Sequence, residues 1–191
     1  MEDAYHEGHL DLLRAFAAQA AVAIERARLT RELLDRRRLE KELAIAREIQ
    51  SSFLPTRAPV IPGFELAGAA LPHDEVGGDY YDYIDVSEHR LGLAIADVSG
   101  KGIPAALIMA GFRMSLLAEI RNEFAIRAIM RKVNSLLYES TDRGKFVTAF
   151  YAVLDWKTRT LQFSNAGHNP PVLRRADGRI GQLLEGRVGS G

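Results

Sequence analysis

The stretch VGGDYYDY, residues 76–83, sets two glycines directly before an aspartate, and the next apolar run ends in ADVSGKG, with a second aspartate at position 97. Hard divalent cations such as magnesium and manganese take carboxylate, carbonyl and water oxygen at about 2.0 to 2.2 Å. Asp79 and Asp97 supply carboxylate oxygen, and the Asp97-Val98-Ser99-Gly100 turn can add a backbone carbonyl. Gly77 and Gly78 leave room beside Asp79 for an ion, its waters or a phosphate, because glycine carries no side chain. Asp82 completes a DxxD with Asp79, a spacing too common to decide anything alone. A second account stays open, in which Asp97 caps a turn and Asp79 stands solvated before a strand.

Two further stretches carry polar chemistry. SGKG, residues 99–102, exposes glycine amides ahead of a helix start, yet it lacks the gap and the Ser/Thr of a Walker A loop. A flexible turn that starts a helix at Gly102 and Pro104 explains it as well. SNAGHNPP, residues 164–171, places Asn165, His168 and Asn169 in a loop stiffened by proline. Those side chains can bind a ligand or orient a water, or the asparagines can satisfy the loop's own backbone. His6, His9, His73 and His89 share no spacing with it, and neither Ser99 nor Ser164 sits in a nucleophile elbow.

The elements that position these residues follow from periodicity and punctuation. YYDYIDV and LGLAIADV read as strands joined through SEHR, an antiparallel hairpin with Val86 opposite Leu91. Counting back puts Asp79 opposite Val98 and Tyr80 opposite Asp97, both aspartates at the same open end but on opposite faces. A bulge, or a loop one residue longer, brings them to one face, and the sequence does not choose. FELAGAAL reads as a further strand. IPAALIMAGFRMSLLAEI and AIRAIMRKVNSLLYES read as helices, FVTAFYAVLD and RTLQFSN as a hairpin across WKT, and PVLRRA with RIGQLL as another across Asp177-Gly178. Strands in antiparallel hairpins with helices inserted as a block make an α+β fold, and no parallel βαβ unit surrounds SGKG to make a nucleotide site.

From Leu10 to about Phe53 there is neither proline nor internal glycine, and Ala, Leu, Arg and Glu dominate, so one long helix or two in tandem is expected. Leu10, Leu13, Ala17, Ala20, Ile24 and Ala27 form a coiled-coil seam whose phase lapses around Arg36, Arg37 and Arg38. That favours a dimerising stalk or signalling linker over a helix packed on its own domain. Pro55, Pro59, Pro62 and Gly63 end it, and the globular domain starts near Gly63.

The chain has 191 residues, 47% of them hydrophobic, with 25 basic residues against 25 acidic ones. This suits one domain with an appendage and gives no global field for nucleic acid or an acidic membrane. The absence of cysteine excludes disulfides, thiolate metal sites and cysteine nucleophiles. No run of roughly 20 apolar residues and no signal-peptide pattern is evident, and the expected location is the cytoplasm.

Taken in order, REIQSSFLP, VGGDYYDY, IADVSGKGIPAALIMA, FVTAFYAVLD and SNAGHNPP resemble the SpoIIE/RsbU-type branch of the metal-dependent protein phosphatases (PPM, type 2C), from about Arg47 to Leu184. LRAFAAQAAVAIERARL looks like the last helix of a GAF sensor domain. The resemblance implies three segments: the end of a GAF-like domain over 1–30, a helical linker or coiled coil over 31–54, and a phosphatase domain lacking its C-terminal part over 63–191. It implies an antiparallel β-sandwich flanked by helices, and hydrolysis of phosphoserine or phosphothreonine on a protein with two Mn2+ or Mg2+ ions. Asp79, Asp97 and the Val98 backbone carbonyl fall on metal-ligand positions. Asp82, Gly78, Gly100, Asn165, His168 and Asn169 become candidates for supporting those ligands or lining a substrate loop. In the family the pattern continues beyond GRVGSG with two strands and at least two more metal ligands. Two functions are therefore expected to compete: a phosphatase acting on a regulator such as an anti-sigma-factor antagonist, controlled through a dimeric N-terminal helix, and a non-catalytic dimeric module that binds its partner.

Overall fold

The computed structural model describes residues 7–71, 76–123, 125–183 and 186–189; His6, His73 and Leu184 lie outside them. It divides into two compact units, residues 1–45 and 46–191.

A single helix, α1 (Glu7–Ser51), takes the N-terminal segment, as expected of a stretch without breakers. Within the first unit Leu10, Leu13 and Ile24 of the seam are exposed. Arg28 reaches Glu32 at 3.1 Å, Arg36 reaches Glu40 at 3.0 Å and Arg38 reaches Glu42 at 3.1 Å. Such exposed i,i+4 pairs add only about 0.3–0.5 kcal/mol each. They brace the arginine-rich stretch where the seam loses its phase.

The second unit is built on an antiparallel sheet. Its strands are β1 (Tyr80–Ser87), β2 (Arg90–Val98), β3 (Val147–Asp155), β4 (Thr160–Ala166) and, at the far edge, β7 (Gly186–Gly189), with β5 (Val172–Arg174) and β6 (Ile180–Gln182) forming a separate ribbon. Two helices, α2 (Ile103–Asn122) and α3 (Ile126–Ser140), cover one face. Tyr80, Ile84, Ala96 and Tyr151 of the strands pack there against Met109, Phe112 and Leu116 of α2 and Val133 of α3. On the opposite face Phe150, Ala152 and Phe163 pack against Leu173 of β5 and against Leu183. Alternate residues of β3 thus serve two cores, which is why its run is almost continuously apolar. The architecture is the expected α+β arrangement, with β5 and β6 contributing to the second layer.

Three expectations are corrected. FELAGAAL forms no strand; only its first residue, Phe64, makes a bridge, back to Ile61. Its Ala67-Gly68-Ala69-Ala70 core has weak strand preference, and it lies on tyrosine rings, where a Cβ at Gly68 would stand 2.6 Å from the Tyr81 ring. The second concerns membrane-length apolar runs, since α2 is long and apolar enough by composition to cross a bilayer. Its Ala105, Met109, Phe112, Leu116 and Ile120 are nonetheless docked in the core. The third is the register of the first hairpin. Ser87 pairs with Arg90 around a Glu88-His89 turn, but Asp85, not Val86, lies opposite Leu91. Val86 is a bulge, and beyond it the pairing runs on unbroken to Tyr80 opposite Ala96.

Candidate functional site

The bulge settles the question of faces. Continuing the pairing one step past Tyr80 and Ala96 brings Asp79 opposite Asp97, and directly opposed residues share a face. Both carboxylates emerge on the side away from the helices, and both are exposed. They lie close enough for the charge of Asp97 to act on Asp79. Partial desolvation first, then the charge and hydrogen bonding of Asp97, hold the Asp79 carboxyl above the ordinary carboxylate range, against a smaller lowering by His168.

The neighbouring backbone is packed for close approach. A Cβ at Gly78 would stand 2.8 Å from the Val98 carbonyl oxygen and 2.9 Å from Val98 Cβ, so only glycine lets the GGD loop lie along the end of β2. That same oxygen, on the Gly78 side of the strand, is the carbonyl expected as a ligand. After it, Ser99 is tied to the start of β3: its amide donates to the Phe146 carbonyl and its hydroxyl accepts from the Phe146 amide, both at 2.9 Å. Gly100 and Gly102 then turn with φ of 96° and 73°, which hands the chain to α2 with Pro104 in the first turn. The SGKG glycines are accounted for by this turn. From the aspartates a groove of about 640 Å³ runs over the open face of the sheet, floored by Tyr81, Tyr83, Leu93 and Ile95 and walled by His168 and Pro171.

Of the remaining expected residues, Asn165 and His168 come to the site's edge. Asn165 Nδ2 donates to the His168 carbonyl at 2.9 Å and its Oδ1 accepts from the His168 amide at 2.8 Å, so this asparagine satisfies its own loop. His168 Nδ1 meets Thr148 Oγ1 at 3.0 Å, and Thr148, paired with Asp97 across the strands, reaches the Asp97 carbonyl at 3.4 Å. Asn169 is exposed on the groove wall. Asp82 is a correction. Three residues on from Asp79, it turns to the helix side of β1, where it accepts from Tyr80 Oη at 2.7 Å and lies 3.6 Å from Arg113 Nε. Burial, then Asp82, push the Tyr80 phenol far above its usual range. Strand alternation separates Asp82 from the Asp79–Asp97 pair, so it supports the strand and not the ligands.

Two contributors carried no signal of their own in the sequence. Gln50, in the last turn of α1, accepts from the Gly77 amide at 3.0 Å and donates back to the Gly77 carbonyl, clamping the loop two residues before Asp79. Arg113 of α2 stands over the Phe53 ring at 5.3 Å while facing Asp82. Gln50 lies within the REIQ stretch, but its partner is set by tertiary packing.

The donors fit a hard divalent cation. Two carboxylates converge with no lysine or arginine paired to either among the described residues, a backbone oxygen lies alongside, and a Cβ at Gly78 would crowd it. Asp79, Asp97 and the Val98 oxygen are the groups that could hold the ion. Among the described residues, no cluster of three or more Asp, Glu or His side chains forms around them.

The family model described as Stage II sporulation protein E (SpoIIE) matches residues 87–188. The phosphoserine phosphatase RsbU of Bacillus subtilis (strain 168) is 27% identical over 169 residues, covering 88% of this chain and 49% of that protein. The phosphoserine phosphatase RsbP of the same organism is 30% identical over 149 residues, covering 76% of this chain and 36% of that protein. The chain thus spans about half the length of the first relative and about a third of the second. Among solved structures, the SiaA-PP2C domain of Pseudomonas aeruginosa superposes with a TM-score of 0.62 at 22% identity, over 82% of this chain and 65% of that one, a likeness of fold. The RsbU and RsbW domains of Rv1364c from Mycobacterium tuberculosis give 0.52 at 29% identity, over 64% of this chain and 35% of that one. With more than half of its residues matched, and with antiparallel sheet and helix pair in place, the chain belongs to the SpoIIE family, the SpoIIE/RsbU-type branch of the PPM phosphatases.

Proposed function

We propose that this chain is a metal-dependent protein serine/threonine phosphatase in which Asp79 and Asp97 are metal ligands, and which hydrolyses phosphoserine or phosphothreonine on a protein regulator. The observation that carries the reading is the Val86 bulge, which turns two aspartates distant in sequence to one face. Asp79, Asp97 and the Val98 carbonyl would hold Mn2+ or Mg2+, with two ions expected. Such ions acidify a bound water and neutralise phosphoryl charge. The chain's part is to hold the carboxylates fixed through the Gly78–Val98 contact and the Ser99–Phe146 ties, and to offer an open groove to the phosphorylated segment. By resemblance the substrate is an anti-sigma-factor antagonist and the compartment the cytoplasm.

Residues 1–30 act as the end of a GAF-like sensor and 31–54 as a linker that reports to residues 63–191. What supports this is Gln50, whose side chain joins the end of α1 to the loop before Asp79. The exposed Leu10, Leu13 and Ile24 support a homodimer through the seam. Ala20→Glu, set in that seam, shifts the chain toward monomer in sedimentation; an unchanged assembly removes the dimer through this segment.

Calorimetric titration with Mn2+, paired with phosphate release from a phosphoserine protein, tests the reaction. Asp97→Asn abolishes both; a variant that binds and turns over like the parent ends the assignment. One observation favours the second reading, a dimeric module that binds its partner without hydrolysis: only two carboxylates converge among the described residues. Titration without metal binding, in a chain that still dimerises, selects it.

A further inference from the structure

The apolar pattern of β1 specifies its register weakly. Tyr80, Asp82 and Ile84 face the helices, while Asp79, Tyr81 and Tyr83 face the groove. Each set contains tyrosine and aspartate, and Ile84 with the partly buried Val86 tips the balance. A slip of one residue would exchange the two faces, since side chains alternate with period two. It would also remove the need for the bulge, because the Ser87–Arg90 turn continues naturally into Val86 opposite Leu91. Something on the helix side must therefore select the bulged pairing.

The geometry points to Arg113 as that selector: it is a positioning residue that, by holding Asp82 on the helix side of β1, locks the bulged register and keeps Asp79 facing Asp97. The Asp82 side chain is 12% exposed and that of Arg113 23%, with Nε to Oδ2 at 3.6 Å. Asp82 is further fixed by Tyr80 Oη at 2.7 Å and by the Tyr83 amide at 2.8 Å. The guanidinium is itself held over Phe53, which packs against the helix-side core. A slip would carry the carboxylate to the groove side and leave the Arg113 charge in a half-buried site without its partner, a strongly unfavourable exchange. Buried ion pairs contribute little net stability, and specifying register is their best-attested use.

The consequence for metal binding rests on the reading of Asp79 and Asp97 given above, whereas the register claim does not. The chain contains no cysteine, so paired cysteines report register cleanly. Tyr81→Cys with Ile95→Cys is directly opposed in the bulged register. Ile84→Cys with Leu93→Cys is opposed only after the slip, since Ile84 pairs with Gly92 and Leu93 with Tyr83 here. Opposed positions lie about 4.5–5.5 Å apart at Cα, within disulfide reach. With Asp82 and Arg113 intact, the first pair oxidises and the second does not. In Asp82→Asn/Arg113→Gln, which removes both charges together and so avoids stranding one, the first pair should oxidise several-fold less and the second several-fold more, with Mn2+ affinity falling about as far. Arg113→Leu alone gives the same shift if it folds, and the double variant decides if it does not. Unchanged cross-linking by both pairs in the double variant overturns the inference. Relaxed cross-linking with unchanged Mn2+ affinity upholds the register role and overturns the metal reading of the aspartates.

Discussion

The two long hairpins of the sheet, β1–β2 and β3–β4, are adjacent, antiparallel and similarly apolar, yet they differ by one residue of register. From Asp155 opposite Thr160 to Phe150 opposite Asn165, β3 and β4 pair without interruption. Between β1 and β2 the pairing shifts at Val86. The regular hairpin buries Phe150 and Phe163 on one face and Tyr151 on the other, so its apolar pattern accounts for its register. The irregular one gives up a ladder position and gains two carboxylates on one face. A bulge re-aims side chains at the cost of local pairing, and here the re-aimed residue is Asp79.

The most damaging way to break this contrast is to insert a glycine between Tyr83 and Ile84. Beyond the Val86 bulge the extra residue carries Asp79 one step further, opposite Val98 and toward the helices. Mn2+ affinity, measured by calorimetry, is expected to fall by about 100-fold or more, as when a ligand and its support are lost together. A glycine inserted into the 156–159 turn of the other hairpin lengthens a surface loop and should leave affinity within about twofold, since loop length is thermodynamically inexpensive. Equal losses in the two variants would mean that register is not what unites the aspartates.

Next in size is Gly78→Ala. The added methyl would meet the Val98 oxygen at 2.8 Å and Val98 Cβ at 2.9 Å, backbone and branched carbon that have little freedom to move. Overpacking of this kind costs about 1–3 kcal/mol, and the thermal midpoint should drop accordingly. Gly77→Ala has no such neighbour, its nearest atom being 4.0 Å away, and serves as the matched control. A melt that ranks the two equally would remove the close approach of Gly78 from the account.

How far the sequence foretold this site follows from the same contrast. Both hairpins were legible, because alternation and a short polar turn are local signals, as was the β5–β6 ribbon from its Asp177-Gly178 turn. The convergence of Asp79 and Asp97 at one open end was legible too, by counting. The face they share was not, because one unpaired residue reverses it and Val86 looks like any other strand valine. Asp82 was misplaced for the opposite reason: DxxD reads as a cluster in one dimension, while strand alternation sends its members to different faces. Gln50 and Arg113 left no mark, since a glutamine in a helix and an arginine on one are ordinary until their partners at Gly77 and Asp82 are seen. FELAGAAL failed as a strand because alternation predicts extended chain but not a pairing partner.

Gln50→Ala sharpens the comparison at the open ends of the hairpins. Gln50 holds Gly77 from a different element, so its loss removes two hydrogen bonds that fix the approach to Asp79. A stability cost of about 1–2 kcal/mol is expected, with a several-fold loss of Mn2+ affinity. Loss of stability alone, with affinity retained, would reduce Gln50 to a structural clamp.

The smallest effect belongs to the corresponding clamp on β4. Asn165 also makes two hydrogen bonds to backbone, but both go to His168, three residues away. A local clamp orders a loop without linking elements. Asn165→Ala should therefore cost about 1 kcal/mol of stability and change Mn2+ affinity by less than about twofold. The route by which more could follow is visible: His168 Nδ1 meets Thr148 Oγ1, and Thr148 lies across from Asp97. If Asn165→Ala lowers affinity as much as Gln50→Ala does, that route carries the effect, and Thr148→Val should reproduce it. The metal site would then be held equally from both hairpins, and the contrast between them would be confined to register.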